Sequence, residues 1–435
     1  MLSAADNELL TRVGPGTPMG ALMREYWLPA MLSSELPRPD GEPIRVMLLG
    51  EQLIGFRDSA GRVGLIQNHC PHRGASLFFG RNEEGGIRCV YHGWKFDCGG
   101  KCVDMPNEPA ESNFKEKINA RAYPCVERAG IVWAYLGPRS TPPPLPGLEA
   151  LEVPDGEYDV GACLRSCSWL QALEGDLDTS HVSFLHGGSR RLEDIPVGSD
   201  QYYMTLHRAP RYAVLDTDYG VMYGAYRPAD EGENYWRIAQ FLFPCFTHIP
   251  GWPTLTRAWV PMDDTHTMFF VMDRAYPGRP TGEGIFWSSD PEARVLSYNT
   301  SHWFGRFRSA YQAEDDYELD RQRQREDHSM WGFTGIIGVQ TQDQAVTESM
   351  GGVLDRTIEH VGAADVMVLQ LRRRLLDVVR MHAAGDEPPP GVDDPDVYQT
   401  RSAAIRLPVG VDWLRATESA RAVESTRTTR EAKGI

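Results

Sequence analysis

Cys70-Pro71-His72-Arg73-Gly74 and, with sixteen residues between His72 and its first cysteine, Cys89-Val90-Tyr91-His92-Gly93 are the stretches whose reading decides this chain. Each offers one thiolate and one imidazole, followed within two residues by glycine. Two such loop tips brought together supply two cysteines to one iron and two histidines to the other iron of a [2Fe-2S] cluster. Tetrahedral zinc takes the same residue types, but zinc fingers group their cysteines in one element and their histidines in another, whereas here each loop carries one of each. Gly74 and Gly93 stand where the backbone must bend tightly and can turn amide donors toward sulfur. Cys70, His72, Cys89 and His92 are therefore read as the ligands of an electron-transfer cluster.

Outward from these loops, Ile44 to Tyr135 alternates short apolar runs with turn residues: Val46 to Leu49, Leu53 to Phe56, Val63 to Gln67, Gly86 to Val90 and Ile131 to Leu136. This is an antiparallel β pattern, with hairpin turns at Asp58 to Gly61 and Cys98 to Lys101. The proline-rich run Thr141 to Gly147 stops regular structure and marks a linker. Beyond it, Trp169 to Ser180 has helical character and Tyr202 to Arg274 is mainly β. Helices resume from about Trp303, with a strongly amphipathic segment over Val366 to Met381. Ala383 to Asp396 reads as an exposed loop, and the polar end from Glu418 as poorly ordered. The division expected is an N-terminal segment 1–40 packing on the catalytic domain, a cluster domain 41–147 and a catalytic domain 148–435, in an α+β chain.

At 435 residues the chain can bury a large core without disulfides. Eight cysteines at this length are no disulfide scaffold, and those outside the cluster read as reduced thiols, Cys98 and Cys102 included. Acidic Asp6 and Glu8 and polar Thr11 and Arg12 replace the features of a secretory signal. No run approaches about 20 apolar residues, so no membrane span is expected. A formal net charge of −16 opposes binding to nucleic acid. A cytoplasmic protein with neither a nucleic-acid nor a membrane partner is expected.

A second constellation lies in Gln171 to His186, where Asp178 and His181 stand three apart, on one face of a helix if the helix continues. His186 follows five later, and both imidazoles reach one ion only if the helix ends or bulges between them. Two imidazoles plus a carboxylate, with open positions, hold ferrous iron for oxygen activation. A polar helix face with hydrogen-bonded histidines is the plainer alternative.

Together the two constellations make the chain resemble the oxygenase (alpha) component of the Rieske non-haem iron ring-hydroxylating oxygenases, in the phthalate dioxygenase-like branch. Val13-Gly14-Pro15-Gly16-Thr17-Pro18-Met19-Gly20, Gln342-Asp343-Gln344 and Glu348-Ser349-Met350-Gly351 carry the resemblance as well. Respiratory Rieske proteins have a further cysteine in each loop and a serine after the second; Ala75, Tyr91 and Trp94 stand there instead, which implies fewer hydrogen bonds to sulfur and a lower potential. The resemblance implies a catalytic domain with an antiparallel sheet flanked by helices, the helix-grip arrangement of Bet v 1 and START proteins. It also implies Asp343 as third iron ligand beside His181 and His186, and Asp178 as a bridge between His181 and a cluster histidine of another subunit in a homotrimer or a multiple of one. A flavin and iron-sulfur reductase would pass electrons from NADH or NADPH to the cluster, O2 would be co-substrate, and the substrate would be a small aromatic carboxylate to be hydroxylated or dihydroxylated. O-demethylation of a methoxylated aryl acid is the alternative, and a pure electron carrier the rival of another class. Arg208, Arg211 and Arg237 are the candidates for holding the substrate carboxylate.

Overall fold

A computed structural model describes residues 2–109, 111–251, 254–275, 296–386 and 388–423. The apolar runs of the first third become strands. Ile44–Leu48, Glu51–Arg57, Val63–Gln67 and Ala122–Tyr123 form one four-stranded antiparallel sheet, and Arg81–Glu83, Gly86–Arg88, Lys95–Phe96 and Cys102–Asp104 another. Both expected hairpin turns are present. In the first, the buried carboxylate of Asp58 accepts from the amides of Ala60 (3.0 Å) and Arg62 (2.8 Å), which closes the turn from inside. A compact core of Ile54, Phe56, Ile66, Leu77, Ile87 and Phe96 lies between the sheets and under the two ligand loops.

The N-terminal segment contributes a strand of its own. Trp27–Leu32 pairs antiparallel with Ile131–Tyr135, with a register shift between Pro29 and Met31, where the missing proline N–H breaks the ladder. All six residues are buried, and all but Pro29 belong to the same continuous core as Trp133, Trp169 and Phe269.

The part of the chain after the proline-rich run is built on an eight-stranded antiparallel sheet. Its path runs Tyr158–Arg165, Thr267–Arg274, Thr254–Pro261, Phe246–His248, Glu233–Leu242, Gly220–Pro228 and Arg211–Thr217, with Ala403–Pro408 paired to Glu233–Leu242. The helix Val366–Ala384 packs against the Arg211–Thr217 and Gly220–Pro228 strands. Leu371, Leu375 and Val379, one turn apart, are fully buried and contribute roughly 1.5–3 kcal/mol each. Gly385 ends the helix at φ 77°, a left-handed conformation that favours glycine.

Several expectations are corrected. The β region does not start at Tyr202: Ser199 caps a helix over Asp200–Leu206, accepting from the Tyr202 amide at 3.2 Å. Helix does not resume at Trp303 but at Arg321–Glu326, where the Asp320 side chain caps the amides of Gln322 and Arg323. Ala383 and Ala384 still belong to the long helix, and within the following loop Val392 is buried. Glu418–Arg421 is helical, and 424–435 lie outside the described residues. Among the described residues no helix is long and apolar enough to cross a membrane.

One buried ionic cluster ties the helices behind the site. Glu174, on the helix Trp169–Leu177, accepts from Arg356 (2.9 Å) and Arg372 (2.5 and 3.0 Å), and Arg372 also reaches Glu359 (2.6 Å). Burial opposes ionisation of Glu174, but the two guanidiniums outweigh it and hold its carboxyl below the usual value. Glu174→Gln should destabilise the protein by about 3–5 kcal/mol, because buried Arg356 loses its counter-charge and Arg372 keeps only Glu359; denaturant titration will measure it. With the folded-state value lowered, this stabilisation is present above about pH 4.3, the ordinary glutamate value, and is lost as pH falls through the lower folded value.

Candidate active site

The cluster loops are two copies of one turn. The Cys70 amide donates to Ala75 O (2.8 Å) and the Gly74 amide to Cys70 O (2.9 Å); the Cys89 amide donates to Trp94 O (2.8 Å) and the Gly93 amide to Cys89 O (2.9 Å). Gly74 and Gly93 sit at φ 77° and 80°, which is why each loop needs glycine there. Cys70 and Cys89 are buried, and the rings of His72 and His92 meet edge to face, with centroids 4.4 Å apart. The Nδ1 atoms of both histidines are buried with no hydrogen-bond partner. Two orphaned imidazole nitrogens opposite two thiols fit a [2Fe-2S] cluster. Burial, and then the adjacent Cys89, push the Cys70 thiol up to about 12, and a cationic centre beside it would favour its thiolate. Trp94 stacks on His72 at 4.4 Å and gives its indole N–H to Asn107 (2.7 Å).

The second constellation depends on a break in the chain. The helix Trp169–Leu177 ends at Asp178, whose backbone is extended, so Asp178 and His181 do not share a helix face as expected. Asp178 Oδ1 accepts from the Ser180 amide and hydroxyl, both at 2.7 Å, and this turn leads into the single 3-10 turn His181–Ser183. The helix therefore ends before His181 rather than between the two histidines. His181 and His186 then project toward one point, with Nε2 atoms 3.2 Å apart. Asp343, on the helix Val339–Ser349, brings its Oδ1 to 3.1 Å from His186 Nε2 and 3.6 Å from His181 Nε2.

Three donors each about 2.1 Å from an ion, at right angles, lie about 3 Å apart, so this group fits one metal ion on one face. Among the described residues it is the only group of three such donors close enough to share an ion. Burial opposes the charge on Asp343, yet His186 and then His181 and Arg165 outweigh it and hold the carboxyl below its usual value. Burial likewise lowers His181, but Asp178 and Asp343 more than compensate and raise it. His181 Nδ1 and Asp178 Oδ2 are 3.7 Å apart, an ion-pair distance rather than a hydrogen bond.

These residues form one end of a cavity of about 390 Å³, the size of a small-molecule site. Met204, Tyr223 and Ile249 give it apolar walls. Of the three arginines singled out from sequence, only Arg237 lines it. Arg208 instead lies 5.3 Å over the Phe184 ring and donates to Gly188 O, and Arg211 is exposed at the start of a strand. Sequence reasoning missed Arg190 and Arg257, which also line the cavity; nothing in their neighbourhood distinguishes them from surface arginines until the sheet closes. Arg257 is committed, since it pairs with Asp176, whose carboxylate also binds Thr247 and Trp259. Arg237 is 7% exposed and donates to Thr179 Oγ1 (3.0 Å) and Pro250 O (2.7 Å), and no carboxylate among the described residues pairs with it.

The family description "Rieske [2Fe-2S] domain" matches residues 26–124, and "LigXa C-terminal domain like" matches residues 134–433. The chain is 45% identical to the 3-chlorobenzoate-3,4-dioxygenase oxygenase subunit of Comamonas testosteroni, over 96% of this chain and 98% of that one. It is 36% identical to the phthalate 4,5-dioxygenase oxygenase subunit of Pseudomonas putida, over 89% and 88% of the two chains. Its fold is similar to that of dicamba monooxygenase bound to dicamba, with a TM-score of 0.55 at 19% identity, covering 84% of this chain and 99% of that one. The sheet wrapped on a long helix and the two ligand constellations thus have one explanation: the chain belongs to the oxygenase components of the Rieske non-haem iron oxygenases, enzymes that use a Rieske cluster, a mononuclear iron, O2 and electrons supplied by a separate protein.

Proposed function

We propose that this chain hydroxylates or dihydroxylates the ring of a small aromatic carboxylate of the phthalate, isophthalate or substituted-benzoate class. Cys70, His72, Cys89 and His92 hold the cluster in this reading, and His181, His186 and Asp343 hold the iron. When bound, the two centres supply single electrons and oxygen activation, while the chain's residues bind, orient and exclude water.

Arg237 is the observation that carries the substrate class. A buried guanidinium without an acid is costly, and a ligand carboxylate lying between it and the His181/His186/Asp343 end relieves that cost. Burial, and then the charge of Arg237, pull the buried Arg227 down to about 10. The relatives named for 3-chlorobenzoate and phthalate act on aromatic carboxylates, which supports the same class. Arg237→Met should raise KM for the aromatic acid about 10- to 100-fold, the worth of one charged hydrogen bond, and should abolish discrimination against the corresponding amide. Equal KM values for acid and amide in the parent enzyme would remove Arg237 from the account.

A cytoplasmic flavin and iron-sulfur reductase is the proposed electron source, and a homotrimer or a multiple of it the proposed assembly. In it Asp178 bridges His181 to His72 or His92 of the partner subunit. Exposed Phe79, Val90 and Tyr91 around the cluster loops and the 26% exposure of the Asp178 side chain support that contact. The reading is tested by oxygen uptake with reductase and a panel of benzoates and phthalates. Uptake matched by hydroxylated product is expected; uptake that yields only peroxide across the panel would refute it.

A further inference from the structure

We propose that Gln342 is the positioning residue that fixes the tautomer and aim of His186, so that adjacent residues of one helix set two of the three donors of the iron site. The inference rests on the ligand reading above. Gln342 is fully buried, and its amide nitrogen faces Thr334 Oγ1 (2.9 Å), Ile336 O (2.9 Å) and Met330 O (3.2 Å). Two of these are carbonyls, which only accept, so the nitrogen must point toward them and the amide oxygen away. That oxygen lies 2.6 Å from His186 Nδ1.

An amide oxygen also only accepts. His186 Nδ1 therefore carries the ring proton and donates it, which leaves the Nε2 lone pair aimed at the point shared with Asp343 Oδ1 and His181 Nε2. The other tautomer would set two lone pairs against each other at 2.6 Å in a dry site. Asp343 is the next residue on the same helix, so displacement of Gln342 shifts the carboxylate and the imidazole together. His181 has no such clamp: its Nδ1 faces the Asp178 carboxylate at 3.7 Å, and its side chain is 22% exposed against 9% for His186. The two imidazoles are thus held differently, His186 by a rigid neutral amide and His181 by an adjustable charge. Met330 lines the substrate cavity, so the amide that orients His186 also fastens part of the pocket wall.

The test uses the full, cluster-loaded chain with its mononuclear site stripped by chelator and refilled with Fe(II) or Co(II). Equilibrium dialysis should show Fe(II) binding 10- to 100-fold weaker in Gln342→Leu than in the parent, about the loss seen when such a partner of a ligating histidine is removed, with the visible spectrum of the cluster unchanged. In the Co(II)-loaded parent, proton NMR should show two shifted, exchangeable imidazole N–H signals. One should exchange slowly in D2O, and it should be absent from the variant. An unchanged Fe(II) Kd in a folded variant would overturn the proposal. Should the variant not fold, the parent spectrum decides, because equally fast exchange of both signals overturns it too. A parent that binds neither ion would instead overturn the ligand reading on which the inference rests.

Discussion

His181→Ala should purify with roughly two irons per chain instead of three, keep the visible and EPR signatures of the cluster, and form no detectable product. The expectation follows from geometry. His181 Nε2, His186 Nε2 and Asp343 Oδ1 lie 3.1–3.6 Å apart, so removing one leaves a two-donor site, and among the described residues no fourth such donor belongs to the group. The cluster loops rest on a core of their own around Phe56 and Phe96 and should not register the change. Iron and sulfide analysis beside EPR separates the outcomes. Full iron content in the variant would mean that His181 is not a ligand, and loss of the cluster signal would mean that the two centres are not independently held.

Asp178→Asn should leave both centres loaded and the unfolding midpoint nearly unchanged, yet lower product formation by about 100-fold or more. Asparagine keeps the acceptor oxygen for the Ser180 amide and hydroxyl, so the turn that ends the helix survives. What disappears is the negative charge. Burial opposes ionisation of Asp178, but His181 and Ser180 outweigh it and hold its carboxyl below the usual value, so the parent residue is an anion at neutral pH. A neutral amide neither supports charge on the His181 ring nor offers an anionic acceptor to a histidine across the proposed subunit contact. Single-turnover measurements with pre-reduced enzyme read the effect directly. Turnover within twofold of the parent would exclude Asp178 from coupling the centres.

The ligand loops show how far a local pattern reaches. Cysteine, histidine and glycine at these spacings specify two equivalent turns, and the turn geometry follows from residues within six positions of each other. The strands from Ile44 and the helix Val366–Ala384 were legible for the same reason, since period-two and period-3.6 burial are written in short windows. Trp27–Leu32 was less so. Its continuous apolar run with an internal proline does not alternate, and it becomes a strand only because Ile131–Tyr135 lies beside it.

The site divides along the same line. His181 and His186 could be paired from sequence because they are five residues apart, but Asp343 came only through family resemblance: 157 residues separate it from His186 and no local spacing links them. The arginines went further astray. Arg208, Arg211 and Arg237 look alike in sequence, and only closure of the sheet decides which faces the cavity, which stacks on Phe184 and which meets solvent. Sequence by itself determined the cofactor chemistry, because donor atoms and their tight turns are encoded within a few residues. Tertiary structure alone decided which charges around the cavity are paired, because burial and counter-ions are supplied by elements distant along the chain.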